Sequence, residues 1–181
     1  MLGVVHRRPR YLLAAFGACA TTAALVLPAP AEAGGCPGAR ASVAKASPQK
    51  LRSALLCLVN RKRSAEGLKR LKRDRKLQRA ATRHARDMVK RDYFAHQRAG
   101  GPDLTERLER AGWHGRAWGE TIAYGCGSAG SPKATLRAWM NSPPHRAVIL
   151  SGSYGRGGLG VGGEALCGND GATWVLDVGR K

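Results

Sequence analysis

Acidic residues are scarce in this chain. Its 181 residues carry 12 Asp and Glu against 31 Lys and Arg, a formal net charge of +19. The imbalance reads either as a solvated basic surface or as attraction to polyanions: teichoic acids, anionic lipid headgroups or nucleic acid. Nucleic acid is not expected, because the sequence lacks both an aromatic-rich sheet motif and a helix-turn-helix signature. The absence of any C-x-x-C pair argues against a four-cysteine zinc site. The absence of G-x-S-x-G removes the nucleophile elbow of many serine hydrolases. No internal repeat appears, and the length fits one domain, enough to bury roughly 70% of the unfolded surface.

What is present begins with an export signal. His6, Arg7, Arg8 and Arg10 precede an apolar run from Tyr11 to Leu27, and Ala29-Pro30-Ala31 and Ala31-Glu32-Ala33 offer small-x-small cleavage sites. A signal peptide over 1–33 is therefore expected. As a membrane anchor the run is marginal in length and holds two threonines. Ala33-Gly34-Gly35-Cys36 loosely resembles a lipoprotein cleavage site but lies far past the apolar run, behind two prolines. Removing the signal takes Cys19 with it and leaves Cys36, Cys57, Cys126 and Cys167. Four cysteines in an exported chain suggest two disulfides among three possible pairings. Cys36–Cys57 and Cys126–Cys167 are favoured, the first tying the N-terminal tail to the first helix, the second tying two strand-end loops.

Residues 34–50, rich in Gly, Ala, Ser and Pro, read as a flexible tail before a domain over 51–181. Ser47-Pro48 opens a helix with Leu51, Leu55 and Leu58 at helical spacing, ended by Gly67. Asp74 caps a second helix through Asp92, with Leu77, Ala81, His84 and Met88 as its buried stripe. His84 on that apolar face reads as a structural core histidine. Asp103-x-x-Glu106 makes a capping box for a short helix through Arg110. His114 reads as a loop residue, and Glu120 to Tyr124 alternates as a strand. Ser131-Pro132 starts a helix through Met140. Gly158–Gly163 and Ala172–Val178 read as strands joined by a hairpin loop over Cys167–Gly171. Helices first, then strand, helices and a strand pair, argue for an α+β fold with helices packed over a small sheet.

The organising stretch is Trp139–Leu150, the end of one helix, a proline-stiffened turn and the start of another. Ser142 reads as an N-cap, with Pro at the first helical position. His145 then sits in the first turn, where the positive helix end favours a neutral imidazole, as a metal ligand or base requires. Asp92–His96, at the end of the second helix, and Trp118–Tyr124, at the start of a strand, belong with it.

These stretches carry F-x-H at Phe94–His96, G-E-x-I-A at Gly119–Ala123 and W-M-x-S-P-x-H-R-x-x-I-L at Trp139–Leu150, followed in order by G-x-G-V at Gly158–Val161. Together they resemble the CAP superfamily, also called SCP or PR-1-like, in its bacterial secreted branch, from about Leu51 onward. The resemblance implies an α-β-α sandwich with helices on both sides of a small, mainly antiparallel sheet. It also implies a cavity lined by two histidines and two glutamates, which in some members holds a divalent metal. Carried over by motif, His96 and His145 are the histidines and Glu120 one glutamate. The second glutamate's place reads Asn141-Ser142, so the set is incomplete. Two imidazoles and one carboxylate still suit zinc, or another divalent metal, with a position left for water. The plainer alternative is that Glu120 hydrogen-bonds both histidines and stabilises the junction.

The function expected from this reading is a secreted, monomeric binding module at the cell envelope, with no membrane span in the mature chain. Its expected partners are anionic envelope polymers, lipid headgroups or a protein. One alternative is a metal-dependent, peptidase-like hydrolase using the same cavity. Another is a basic wall-binding protein whose cavity is vestigial.

Overall fold

The computed structural model describes residues 35–163 and 170–181. The expected signal peptide, and Cys167 with most of the expected hairpin loop, lie outside the described residues. Five helices are present among them: α1 (Pro48–Ala65), α2 (Arg75–Lys90), α3 (Leu104–Arg110), α4 (Pro132–Asn141) and α5 (Pro143–Ile149). Four strands accompany them: β1 (Lys72–Arg73), β2 (Ala117–Cys126), β3 (Arg156–Gly162) and β4 (Gly171–Arg180). The sheet order is β1-β3-β4-β2. Its three long strands pair antiparallel and the two-residue β1 pairs parallel with β3. The fold is α+β, as expected; β1 is too short to leave a period in the sequence.

Helix starts follow local chemistry. The Ser47 hydroxyl accepts from the Lys50 N–H, the Asp74 carboxylate from Lys76 and Leu77, and Asp103 and Glu106 form the expected capping box. Helix α2 stops at Lys90, two residues earlier than predicted. Asp92 there adopts a left-handed φ of 51°, and the chain turns instead of continuing. His96 therefore sits in a loop after the helix and not at its end.

Alternation along the strands sends side chains to two different layers. Ala172, Trp174, Leu176 and Val178 of β4 pack with Leu51, Leu55 and Val59 of α1 and with Trp139 of α4. Val175 and Ile122 face the other way, onto Ala81, Ala85 and Met88 of α2. Burying each such aliphatic side chain contributes about 1.5–3 kcal/mol. Helix α2 lies directly on β3 because that strand offers glycines. A Cβ on Gly158 would stand 2.0 Å from the Gln78 nitrogen, and one on Gly160 would stand 2.2 Å from the Ala81 carbonyl oxygen.

The segment expected as a flexible tail is docked over 35–46. Cys36 is disulfide-bonded to Cys57 of α1, as favoured, and Ala41, Val43 and Ala46 pack on the main core. The apolar residues responsible are too sparse for a helical or strand period. Cys126 is also disulfide-bonded; its expected partner lies outside the described residues.

Candidate functional site

Strand β2 lies at the sheet edge, and Glu120 near its start points toward the α2 layer beside Ile122. Its side chain is only 2% exposed. A carboxylate in that position needs donors, and two elements supply them. His96 donates from Nδ1 to Glu120 Oε1 at 2.7 Å, and Arg107 of α3 donates from Nη2 to Oε2 at 2.7 Å. Arg107 also donates from Nη1 to the His96 carbonyl at 2.6 Å, so one guanidinium holds both the backbone of His96 and the partner of its ring.

The loop carrying His96 is held on three further points. Tyr93 donates its hydroxyl to Asp87 Oδ2 at 2.8 Å. His84 Nε2 contacts the Ala95 carbonyl at 3.1 Å, which makes that nitrogen the N–H donor. Phe94 meets Tyr124 of β2 edge-on, with ring centroids 4.9 Å apart. His84 is buried, as its place on the apolar stripe predicts, but its Nε2 also lies 4.0 Å from Glu120 Oε2. Burial is the main reason its pKa falls below the ordinary histidine value; the Arg107 charge adds to this, and Glu120 opposes it. His84 thus stays neutral.

Behind Glu120, across the strand pair, stands Asp177. It is fully buried, and neither of its oxygens has a hydrogen-bond donor among the described residues. Burial, then the Glu120 charge, push its pKa well above the usual carboxylate range. Burial also works to raise Glu120, but the His96 hydrogen bond and the Arg107 charge outweigh it and leave its pKa lowered. Two carboxyls in one dry site cannot both ionise cheaply. The shifts run in opposite directions: Glu120 is favoured to carry the charge, and Asp177 to hold its proton to higher pH than a free carboxyl.

His145 approaches from α5, in the other helical layer. That layer is close to the start of β2: a Cβ on Gly119 would lie 3.4 Å from Val148 Cγ1, and the Tyr154 hydroxyl donates to the Trp118 carbonyl at 3.1 Å. Burial lowers the His145 pKa, and the nearby His96 charge lowers it further. Both causes favour the neutral imidazole. Asn141 is exposed at the end of α4. Ser142 precedes α5, yet its hydroxyl makes no capping hydrogen bond, contrary to expectation. Pro143 and Pro144 occupy the first two helical positions and bring no N–H, so one of the two usual donors to a cap is missing.

Among the described residues, no three His, Cys, Asp or Glu side chains are arranged to hold a metal ion. Glu120 is committed to His96 and Arg107. Sequence reading missed two members of this cluster. Arg107 shares the inner side of α3 with Leu104 and Leu108, and Asp177 is the one charge within the apolar run Thr173–Val178. A charged residue on a predicted apolar face was the available signal for both.

An edge-strand glutamate joined to a loop histidine, with a second histidine arriving from the opposite helical layer of an α-β-α sandwich, defines a class of domain. Residues 56–178 match the cysteine-rich secretory protein (CAP) family, and the chain belongs to that family. It is 33% identical over 103 residues to the Bacillus subtilis protein YkwD and 33% identical over 107 residues to the Bacillus subtilis membrane protein YlbC. Those stretches cover 57% and 59% of this chain but only 39% and 30% of the two relatives. An extracellular SCP-domain protein from Bacillus anthracis superposes with a TM-score of 0.60 at 28% identity, covering 75% of this chain and 44% of that one. An outer surface protein from Borrelia burgdorferi superposes with a TM-score of 0.66, covering 75% of this chain and 96% of that one; at 17% identity it speaks for the fold alone.

Proposed function

We propose that this chain is an exported CAP-family binding module of the cell exterior, and that its recognition centre is the pair His96 and His145 over Glu120. The observation that carries the reading is the double engagement of Glu120. Its oxygens are held by His96 and Arg107 at 2.7 Å each, and its pKa is lowered. A carboxylate so paired is a poor general base, which weighs against the hydrolase alternative. It is well suited to orient His96, since a histidine that ligates a metal commonly gives its other N–H to a carboxylate. Glu120 then supports the site, and the two imidazoles face the ligand or a divalent ion such as zinc. Export is supported by the signal-like N-terminus and by bacterial relatives described as extracellular. Anionic envelope polymers or lipid headgroups are the partners that the positive charge favours.

Zinc titration by calorimetry tests the centre. Wild type should bind with a stoichiometry of about one ion, and His96→Ala and His145→Ala should each weaken binding by at least about tenfold. Affinity should decline as pH falls through the histidine range, because protons compete for the same nitrogens. If wild type binds no better than both variants, the cluster is a structural hydrogen-bond network and the proposed centre is wrong.

A further inference from the structure

A cavity opens on the α2 side of the sheet, between α2, α3 and the loop that joins them. Its volume is about 340 Å³, within the lower range of small-molecule sites. Five guanidinium groups line it: Arg83 of α2, Arg91 just past that helix, Arg98 of the loop, and Arg107 and Arg110 of α3. Against them stands one carboxylate, Asp87. That carboxylate is already engaged, accepting from Arg91 Nε and from the Tyr93 hydroxyl at 2.8 Å each. Gathered in one concavity, the like charges repel one another.

Part of their hydrogen-bonding capacity is also unspent. Arg107, 9% exposed, has a buried Nε with no acceptor, and so does Arg98. Among the described residues Arg98 otherwise donates only to the carbonyl of its neighbour Ala99, at 3.2 Å. Arg83 makes a single long bond to the Arg110 carbonyl at 3.3 Å, and Arg110 meets Glu106 only at 3.7 Å. Guanidinium forks of this kind match the oxygens of a phosphate group, whose charge can be shared among several of them. The rest of the lining, including Ala80, Pro102 and the ring of Tyr93, is apolar enough to take a short organic substituent.

We propose that this arginine-lined cavity binds a small phosphate ester, separately from the imidazole pair. The chemistry recognised is the phosphate group, which a soluble metabolite or a membrane headgroup could present. A concavity of about 340 Å³ can take a small monoester whole, which favours a soluble monoester.

Calorimetry on the full exported chain tests this, using glycerol 3-phosphate, inorganic phosphate and vesicles containing phosphatidylglycerol as separate probes. Glycerol 3-phosphate should bind more tightly than inorganic phosphate. Arg83→Gln and Arg98→Gln should each weaken it by roughly tenfold, the scale of one lost charge-assisted hydrogen bond. Arg137→Gln removes the same charge from an exposed position on α4 and should leave binding unchanged, as should His145→Ala, which lies on α5 and does not line the cavity. Thermal melting checks that each variant is folded, and added ester should raise the wild-type melting temperature more than theirs. Equal weakening by Arg137→Gln would mean diffuse electrostatics and overturn the site. Inorganic phosphate binding as tightly as the ester, or the arginine variants losing vesicle binding without losing the ester, would overturn the assignment of a soluble monoester. Loss of ester binding in His145→Ala would overturn the separation from the imidazole pair.

Discussion

At the scale of single residues, the charge pattern around Glu120 sets how stability should respond to pH. Glu120 has a lowered pKa, so its contribution is present above the ordinary carboxylate value and is lost as pH falls through its folded one. His84 and His145 are also lowered, and they cost stability as pH drops below the ordinary histidine value, where the unfolded chain takes up protons first. Asp177 runs the other way. Its raised pKa gives stability that is full below the unfolded value of about 4 and declines as pH rises above it. Asp177→Asn keeps the shape and removes the titration. Chemical denaturation should find it at least as stable as wild type at pH 7, with a flatter profile between pH 4 and 7. Glu120→Ala should instead cost roughly 3–5 kcal/mol, because it leaves the Arg107 charge buried and unpaired. If Asp177→Asn proves as damaging as Glu120→Ala, Asp177 is ionised in the native protein and the proton assignment is wrong. Neither Asp177 nor Arg107 was read from the sequence as part of the site. A charge in an apolar pattern shows that something pairs with it, but its partner lies across strands or in a different element.

At the scale of elements, the contact between α2 and β3 decides where the cluster forms. Helix α2 carries His84 and Asp87 and launches the loop with His96; it can rest on the sheet only because Gly158 and Gly160 have no side chains. Gly160→Ala places a methyl 2.2 Å from the Ala81 carbonyl oxygen, and the helix must lift to admit it. The expected loss is at the upper end of about 1–3 kcal/mol or beyond. Gly155→Ala meets nothing within 4 Å and should be nearly neutral. Urea denaturation midpoints compare the two; similar values would mean that the close approach does not constrain α2.

At the scale of the whole molecule, the excess of basic residues is a long-range property that no single contact expresses. If the chain is exported and held at an anionic surface, fractionation of cells that express it should find it in the medium or at the surface. It should lack roughly the first 30 residues, in line with ordinary signal length. Salt above about 0.5 M should release the surface-held fraction, since the screening length is then only a few ångströms. An uncut chain confined to the cytoplasm would contradict export, and a surface fraction indifferent to salt would contradict the electrostatic attachment.

What the sequence determined by itself was mostly local. Caps at Ser47, Asp74 and Asp103, and the spacing of Leu51 with Leu55 and of Leu77 with Ala81, act within one or two turns, and the structure begins its helices there. The motifs around His96, Glu120 and His145 were also legible, because each is a short contiguous pattern. The end of α2 was not, since the chain leaves the helix to send Tyr93 onto Asp87 and Phe94 onto Tyr124. The hold of Arg107 on Glu120, the proton on Asp177 and the gathering of arginines between α2 and α3 belong to the tertiary structure alone. Each depends on which charges face one another after desolvation, and that is settled only when elements distant in sequence pack together.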